Sequence, residues 1–342
     1  MVFRGDDPHS EAAGPTIGGS GALVELAEDD ALPGAVGGLD SSDVVVGERE
    51  GKPLTQWKLF WRRFFRHKLA VISALVLLLL VGMALFAPAV TRFEPTAQDL
   101  RNIRQQPDGT HWFGTDNLGR DQFSRVIYAG RISLKIGATV ALISTLIGTT
   151  LGAIAGYVGK WVDQLLMRIT DLFLVMPGLA ILMVANVKFR GQEIFGFRVS
   201  TDNLAILILS FVFWMTIARV VRGLILSLKE KEFVEAARAS GASTFRIITR
   251  HVLPNCVGPI AVNATLVVGL AILTESALSF LGFGVQPPDV SWGYLVADAR
   301  GTAGTDYAYM IYFPGLAILL TVLSINFLGD GLRDAFDPQS HH

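Results

Sequence analysis

The chain has 342 residues, of which 51% are hydrophobic, and its single cysteine, Cys256, excludes an internal disulfide and a multi-cysteine metal site. Its formal net charge of −1 hides an asymmetry, because residues 1–50 hold eleven acidic residues against two arginines, whereas residues 51–342 carry an excess of basic residues. The hydrophobic residues are concentrated in long uncharged segments, which indicates a protein that crosses a membrane.

Residues 1–51 contain ten glycines and show no sustained hydrophobic periodicity. Such a composition cannot bury a hydrophobic core, so we expect a disordered, acidic, glycine-rich tail. The segment also lacks the basic region and apolar core of a signal peptide, and we therefore expect it to stay in the cytoplasm.

Residues 52–68 precede the first apolar segment and alternate aromatic and basic side chains at helical spacing. This pattern predicts an amphipathic helix in the membrane interface, with aromatic rings in the headgroup zone and bases toward anionic lipid. A calmodulin-like or nucleic-acid-binding patch is the alternative, which the adjoining apolar segment disfavours. The aromatic face comprises Trp57, Phe60, Trp61, Phe64 and Phe65, and the basic face comprises Lys58, Arg62, Arg63 and Arg66.

Six apolar segments predict six transmembrane helices and an all-α, polytopic membrane fold, because backbone polar groups in lipid must be satisfied within the helix. Three of them carry no charge over 22 or 23 residues, at 69–90, 136–158 and 307–329. That length crosses about 30 Å of hydrocarbon. A fourth, at 255–274, extends past Glu275. The two weaker segments are 169–187, which contains Asp171 and a Pro-Gly kink, and 203–218.

An even number of spans puts both termini on the same side of the membrane. Lysines and arginines are concentrated just before the first span and in the polar segment at 219–250, which predicts that both face the cytoplasm. The loop at 91–135 is then external. The loop at 227–255 and the tail at 336–342 are then cytoplasmic.

Within the external loop, residues 111–121 bring Asp116, Arg120 and Asp121 close to two glycines. The chemistry of these residues fits a salt-bridged turn and a docking surface for an extracellular protein equally well.

Glycines and charges inside the spans indicate how the helices pack. Three glycines recur every fourth residue in the second span and predict close approach of another helix: Gly148, Gly152 and Gly156. Arg168 and Asp171 have i, i+3 spacing, which predicts a structural ion pair. Glu275 either faces a substrate path or ties down the external loop, and we favour the structural alternative.

The polar segment at 232–254 predicts two short helices hinged at a glycine. Residues 232–240 are rich in helix formers, and Gly241 can adopt the positive φ that ends a helix. Ser243 offers an N-cap hydroxyl to a second helix, which Pro254 is expected to stop. Such an element suits a docking knob for a soluble partner, although many segments of this kind are solvated loops.

The spacing of this segment resembles the Glu-Ala-Ala loop of ABC-transporter permease subunits. That loop has Glu-Ala-Ala, three residues, Gly, nine residues, an apolar position, one residue and Leu-Pro. The chain departs from it at His251, where the general pattern carries isoleucine, although the peptide-transporting branch has the same His-x-Leu-Pro-Asn. The resemblance implies coupling to an ATPase through Glu235, Ala236, Ala237, Gly241, His251, Leu253 and Pro254.

Residues 114–121 resemble the Gly-Thr-Asp-x-x-Gly-Arg-Asp signature of the C-type permease in dipeptide, oligopeptide and nickel importers. Further motifs at 278–288, 291–293, 329–334 and 337–338 extend the resemblance over residues 55–338. It implies the architecture of a type I ABC importer permease, with a core at 136–335. It also implies that Asp116, Gly119, Arg120 and Asp121 shape the surface that receives a binding protein.

The resemblance implies a transport subunit without an ATPase site, and the sequence has no Gly-x-x-x-x-Gly-Lys-Ser/Thr phosphate loop. The implied partners are a second permease, two ATP-binding subunits that bind ATP and Mg²⁺, an extracytoplasmic substrate-binding protein and membrane lipid, with no nucleic acid. We expect no cofactor or metal on this chain itself.

Di- or oligopeptides are the cargo that the resemblance favours, and nickel, glutathione-like or haem-type cargo remains an alternative. The strongest rival class is a secondary transporter driven by an ion gradient. Such a transporter would place charges in the middle of its spans, and these spans are nearly free of them.

Overall fold

The computed structural model describes residues 56–176, 178–189, 192–194, 197–198 and 200–336. The predicted tail at 1–51 and residues 337–342 lie outside this part of the chain. The described elements are α1 (Gln56–Arg66), α2 (Lys68–Leu85), α3 (Ala87–Val90), α4 (Gln122–Val158), α5 (Lys160–Val175), α6 (Gly178–Phe189), β1 (Glu193–Ile194), β2 (Phe197–Arg198), α7 (Thr201–Leu228), α8 (Glu232–Ala239), α9 (Thr244–Ile247), a π-helix (Ile248–Val252), α10 (Leu253–Phe280), α11 (Trp292–Asp298), a 3₁₀ turn (Arg300–Thr302) and α12 (Tyr309–Phe336).

Five helical segments of the described chain are long and apolar enough to cross a membrane: α2, α4, α7, the run Thr244–Phe280 and α12. The pair α5 and α6 is a sixth candidate, bent by 87° between its two halves. The helical class and the count of up to six spans agree with the sequence prediction. The antiparallel β1–β2 ladder, which is two residues long, was not predicted.

Two helices extend well beyond the uncharged windows that marked them in the sequence. α4 begins directly after Asp121, whose carboxylate accepts the backbone N–H of Ser124 at 2.8 Å. The loop predicted at 91–135 therefore ends at residue 121. α7 continues ten residues past 218 and carries Arg219 and Arg222, whose charges are paired with carboxylates on α5.

The closest helix packing joins α4 to α7 along the glycine face of α4. A methyl group on Gly148 would lie 2.6 Å from the carbonyl oxygen of Trp214, and one on Gly152 would lie 2.5 Å from that of Ala218. A methyl group on Gly156 would lie 3.0 Å from Cβ of Ile225. The glycine spacing thus allows two helix backbones to pack without intervening side chains.

The aromatic face of α1 is divided between the protein and its surroundings. Phe60 and Phe64 pack toward the end of α12, where the ring centroids of Phe60 and Phe336 lie 4.7 Å apart. Trp61 and Phe65 stack on each other with centroids 5.6 Å apart and remain exposed. One half of the predicted interfacial stripe therefore fixes α1 to the bundle, and the other half is free to contact lipid.

We expect Gly152→Ala to lower the thermal stability of the purified protein in detergent. The added methyl group meets a backbone carbonyl that cannot rotate away, so the α4–α7 contact must open at a cost of about 1–3 kcal/mol. Gly223→Ala on α7 is the matched control, because its methyl group has no neighbour within 4 Å. Equal melting temperatures for Gly152→Ala and the wild type would contradict the packing role.

Candidate functional site

The segment between α7 and α10 forms a compact two-helix turn. α8 ends at Ala239, and Gly241 just beyond it has a φ of +77° and donates its N–H to the carbonyl of Arg238 at 3.0 Å. A Cβ on Gly241 would meet nothing within 4 Å, so its backbone conformation, rather than lack of space, requires glycine. Ser243 then caps α9 by accepting the N–H of Arg246 at 3.4 Å.

The second helix of this turn does not stop at Pro254, which corrects the sequence prediction. α9 passes through the π-helix into α10, and Pro254 lies in the first turn of α10. Proline is tolerated there because the first N–H groups of a helix need no partner within that helix. The next residue, Asn255, donates its side-chain N–H to the carbonyl of His251 at 2.6 Å. The turn is consequently continuous with a transmembrane helix.

Apolar side chains attach this turn to the helix bundle. Val234, Ile247 and Val252 are buried and belong to the same hydrophobic core as Val221 and Ile225 of α7. A force applied to the turn is therefore transmitted to packed transmembrane helices rather than absorbed by a loose loop.

The outward side of the turn carries exposed charged and aromatic groups. Phe245 is 77% exposed and adds a large apolar side chain to this side of the turn. Of the residues singled out in the sequence, Glu235, Ala236, Gly241 and Pro254 are exposed, whereas Ala237, His251 and Leu253 are half-buried. We call the segment from Glu232 to Val252 the docking turn.

In the loop before α4, Asp116 is the centre of a buried ion cluster. Its carboxylate accepts the side-chain N–H of Arg120 at 2.6 Å and that of Arg125, and it also accepts the backbone N–H groups of Leu118 and Arg120. Both arginines also approach Asp298 of α11, at 3.8 and 3.6 Å. The cluster ties the loop before α4 to α11.

Asp121 and Gly119 also stabilise the conformation of this loop. Asp121 caps α4 through Ser124 and lies 2.8 Å from Nδ1 of His111, which is itself nearly buried. Gly119 has a φ of +71°, and a Cβ there would collide with the backbone of Asp99. Both positions therefore serve the internal geometry of the loop.

Of the two alternatives, these contacts support the salt-bridged turn, and the expectation that Asp116, Gly119, Arg120 and Asp121 shape the surface for a binding protein stays a prediction. Asp116 and Asp121 are buried and fully engaged in hydrogen bonds, so they cannot reach a partner protein. Sequence alone could not separate the two alternatives, because a salt-bridged turn and a charged surface use the same residue types. Exposed side chains nearby are those of Leu100, Ile103, Trp112 and Leu118.

A neighbouring turn in the same loop carries an ionised carboxylate. Asp108 accepts the backbone N–H of His111 at 2.6 Å and that of Thr110 at 2.8 Å. These hydrogen bonds lower the pKa of Asp108 from its ordinary value, since they stabilise the charged form.

Glu275 ties α10 to α11, in line with the structural alternative favoured from the sequence. Its Oε1 accepts the hydroxyl groups of Ser279 and Ser291, each at 2.7 Å, and Ser291 in turn caps α11. The adjacent Trp292 donates its backbone N–H to Ser133 of α4 at 3.0 Å. Ser291 was missed in the sequence as an anchoring residue, although a serine just before a helix is a recognisable capping signal.

Asp171 pairs with Arg219 of α7, not with Arg168 as the i, i+3 spacing predicted. A second pair, Asp163 with Arg222, lies along the same two helices, with a hydrogen bond of 2.6 Å. The spacing rule compares only residues of one helix, so it misses partners that a neighbouring helix supplies. The charged residues at the ends of the predicted spans were the feature of the sequence that could have indicated ion pairs between helices.

The described residues include no group of three or more His, Cys, Asp or Glu side chains that could hold a metal ion. The features with the clearest functional geometry are therefore the docking turn and the loop at the opposite end of the bundle.

Two protein families match the chain. Residues 148–342 match the family described as binding-protein-dependent transport system inner membrane component. Residues 55–107 match the N-terminal transmembrane domain of oligopeptide transport permease C.

Relatives from several bacteria cover nearly the whole chain. The dipeptide transport system permease of Alkalihalophilus pseudofirmus is 39% identical over 84% of this chain and 91% of its own length. The glutathione transport system permease of Pectobacterium atrosepticum is 41% identical over 85% and 94%. The oligopeptide transport system permease of Bacillus subtilis is 39% identical over 84% and 91%.

The fold resembles that of a solved transporter. A chain of the MetNI methionine ABC transporter, in an inward-facing conformation, superposes with a TM-score of 0.50 at 20% identity. The match covers 63% of this chain and 97% of that one, and at this identity it bears on the fold alone.

We expect Asp116→Asn to destabilise the protein. The substitution leaves Arg125 buried without its closest countercharge, and breaking such a buried pair costs about 3–5 kcal/mol. Thermal unfolding in detergent measures the loss, with Asp306→Asn, an exposed carboxylate in the loop before α12, as the control. A melting temperature that falls equally in both variants would contradict the special role of the cluster.

Proposed function

This chain belongs to the family of binding-protein-dependent transport system inner membrane components, the permease subunits of ABC importers, and we propose that its cargo is a di- or oligopeptide. The observation that carries the cargo is the similarity, over more than four fifths of the chain, to permeases for dipeptides, glutathione and oligopeptides. All three of these cargos contain amide-linked amino acids.

We further propose that the chain assembles with a second permease, two ATP-binding subunits and an extracytoplasmic binding protein. The chain is a multi-pass membrane protein and a transport component, and in this proposal the energy for transport comes from hydrolysis of ATP that the partner ATPases bind together with Mg²⁺. The docking turn is the proposed contact with one of those ATPases.

The elements that share one end of the bundle support an orientation in the membrane. His67 lies 3.8 Å from Asp334, and Gly258 abuts Phe336, so the basic helix α1, the start of α10 and the end of α12 are neighbours. The excess of basic residues at this end supports a cytoplasmic location for it. The docking turn then faces the cytoplasm, and the loop at 91–121 faces outside.

The docking turn supports a coupling mechanism that depends on two ATPase conformations. Its exposed groups include Glu235 and Phe245, and its buried anchors connect it to α7 and α10. An ATPase that contacts the turn differently in its two states would tilt these helices between outward-open and inward-open arrangements. Coupling requires that the turn keeps its shape while it is pushed.

On the external side, we propose that the ion cluster around Asp116 shapes the surface that receives the binding protein without contacting it. The cluster holds Leu100, Trp112 and Leu118 at the surface, where a partner can reach them. Loss of the cluster would therefore impair docking only through loss of structure.

We expect Gly241→Val to abolish peptide uptake and to reduce the amount of ATPase that co-purifies. A β-branched residue is strained by about 1–2 kcal/mol at this positive φ, so the two helices of the turn lose their relative orientation. Gly241→Asn is the matched control, because asparagine tolerates the left-handed region. The coupling proposal fails when Gly241→Val retains both normal uptake and normal ATPase content at equal membrane abundance.

We expect Phe245→Ala to weaken association with the ATPase while leaving the fold unchanged, since the side chain is exposed in the free chain. Burial of a phenylalanine at an interface contributes about 1.5–3 kcal/mol, which corresponds to a roughly tenfold or greater loss of affinity. The assay is titration of the purified ATPase onto the permease in detergent. Leu100→Ala, exposed at the opposite end, should bind normally, and equal affinity for all three proteins would argue against this contact.

A further inference from the structure

One face of α10 is left largely uncovered by the described residues and changes character along its length. Nearest the docking turn it carries the exposed Asn255 and Pro259 and the half-buried Asn263, and farther along it carries the exposed Leu266 and Leu270. These residues recur at intervals of three or four and therefore share one side of the helix.

Two other sides of α10 pack within the described chain. Gly258 and Gly269 lie against α12, and Cys256, Val267 and Ala271 lie in the hydrophobic core. The face with the asparagines is distinct from these sides and is open among the described residues to lipid, water, a partner subunit or the cargo.

Two asparagines on this face use their N–H groups inside the helix. Asn255 donates to the carbonyl of His251 at 2.6 Å, and Asn263 donates to the carbonyl of Pro259 at 2.8 Å. Among the described residues, no hydrogen bond to either side-chain oxygen is formed. Each asparagine therefore presents an open acceptor oxygen.

Pro259 adds a backbone acceptor to the same face. Proline has no N–H, so the carbonyl of Asn255, four residues earlier, loses its helical donor. The described side chains do not replace that donor. The equivalent carbonyl in α12 is that of Met310, four residues before Pro314, and there the buried Gln122 supplies an N–H at 3.1 Å. Gln122 thus serves the carbonyl in α12, whereas no described side chain donates to the carbonyl of Asn255.

An open acceptor is costly against lipid, where each unsatisfied backbone group costs several kcal/mol. The outward face of α2 shows what a lipid-facing surface of this protein looks like. Ile72, Leu75, Leu78 and Leu79 are each more than half exposed, and no polar side chain lies among them. The face of α10 with its open oxygens is therefore a surface that meets water or hydrogen-bond donors.

We propose that the face formed by Asn255, Pro259 and Asn263 lines the translocation path and offers its oxygens to the N–H and ammonium groups of a passing peptide. This inference rests on the proposed function. Backbone N–H groups are common to peptides of any sequence, so a row of acceptors holds varied cargo without reading side chains. Leu266 and Leu270 continue the path as an apolar surface.

Cysteine modification tests whether the face lines a water-filled path. In a Cys256→Ala background, Asn263→Cys is placed in the assembled complex and treated with a small charged thiosulfonate. Leu78→Cys on the lipid-facing side and Ala303→Cys in the exposed loop before α12 are the controls. We expect modification at 263 and 303 and none at 78. An unmodified Asn263→Cys beside a modified Ala303→Cys would overturn the proposal, and its cross-linking to the second permease would identify a subunit interface instead.

Trialanine serves as the probe for cargo contact. Uptake of labelled trialanine and of mixed oligopeptides into vesicles is measured first. If neither is taken up, the result contradicts the proposed function rather than the lining role. Where trialanine is taken up, its presence should slow modification of Asn263→Cys. An unchanged rate would overturn contact between this face and the cargo.

The acceptor role is tested by Asn263→Leu against Asn263→Gln. Loss of one hydrogen bond should lower trialanine uptake by about two- to tenfold in the leucine variant, whereas glutamine keeps an acceptor oxygen and most of the uptake. ATPase content and melting temperature should stay unchanged in both. Equal uptake by the leucine variant and the wild type would overturn the role of the oxygen.

Discussion

Several polar groups that enter the apolar bundle form hydrogen bonds to other helices, and the positions of those partners determine how the helices meet. Gln122 of α4 reaches the carbonyl of Met310 that Pro314 deprives of its donor, which joins α4 to α12. Glu275 joins α10 to α11 through Ser291. Because an unsatisfied group in this environment costs several kcal/mol, each such contact fixes one helix relative to another. Glycine contacts between α4 and α7 set the distance between those two helices.

The same requirement makes the two ends of the bundle different. At one end, the carboxylate of Asp116 is enclosed by Arg120 and Arg125, so the loop before α4 is rigid and its charges are unavailable to partners. At the other end, the docking turn is held from below by apolar side chains and exposes Glu235 and Phe245. A turn that is firmly attached yet chemically open on its outer side is suited to transmit a movement that begins in another subunit.

The sequence predicts those features that depend on local pattern. The helices, the glycine face and the hinge at Gly241 follow from periodicity and from backbone preferences that neighbouring residues hardly alter. It does not predict pairings between elements. Arg219 supplants Arg168 as the partner of Asp171 because α7 lies beside α5, and the burial of Asp116 depends on α11, which lies far along the chain. Whether a charged motif is a surface or a core therefore needs the tertiary structure.

The family relationship bears on which cargo is carried, whereas the α10 face bears on how the path would hold that cargo. A path that held a peptide tightly would release it slowly, so its contacts must be weak and repeated along the way, as in other membrane pathways. Open oxygens at Asn255 and Asn263 suit that need, because each contributes one hydrogen bond to groups that every peptide carries. Under the proposed function, such a path would tolerate many peptides, and selection among them would fall to the proposed binding protein.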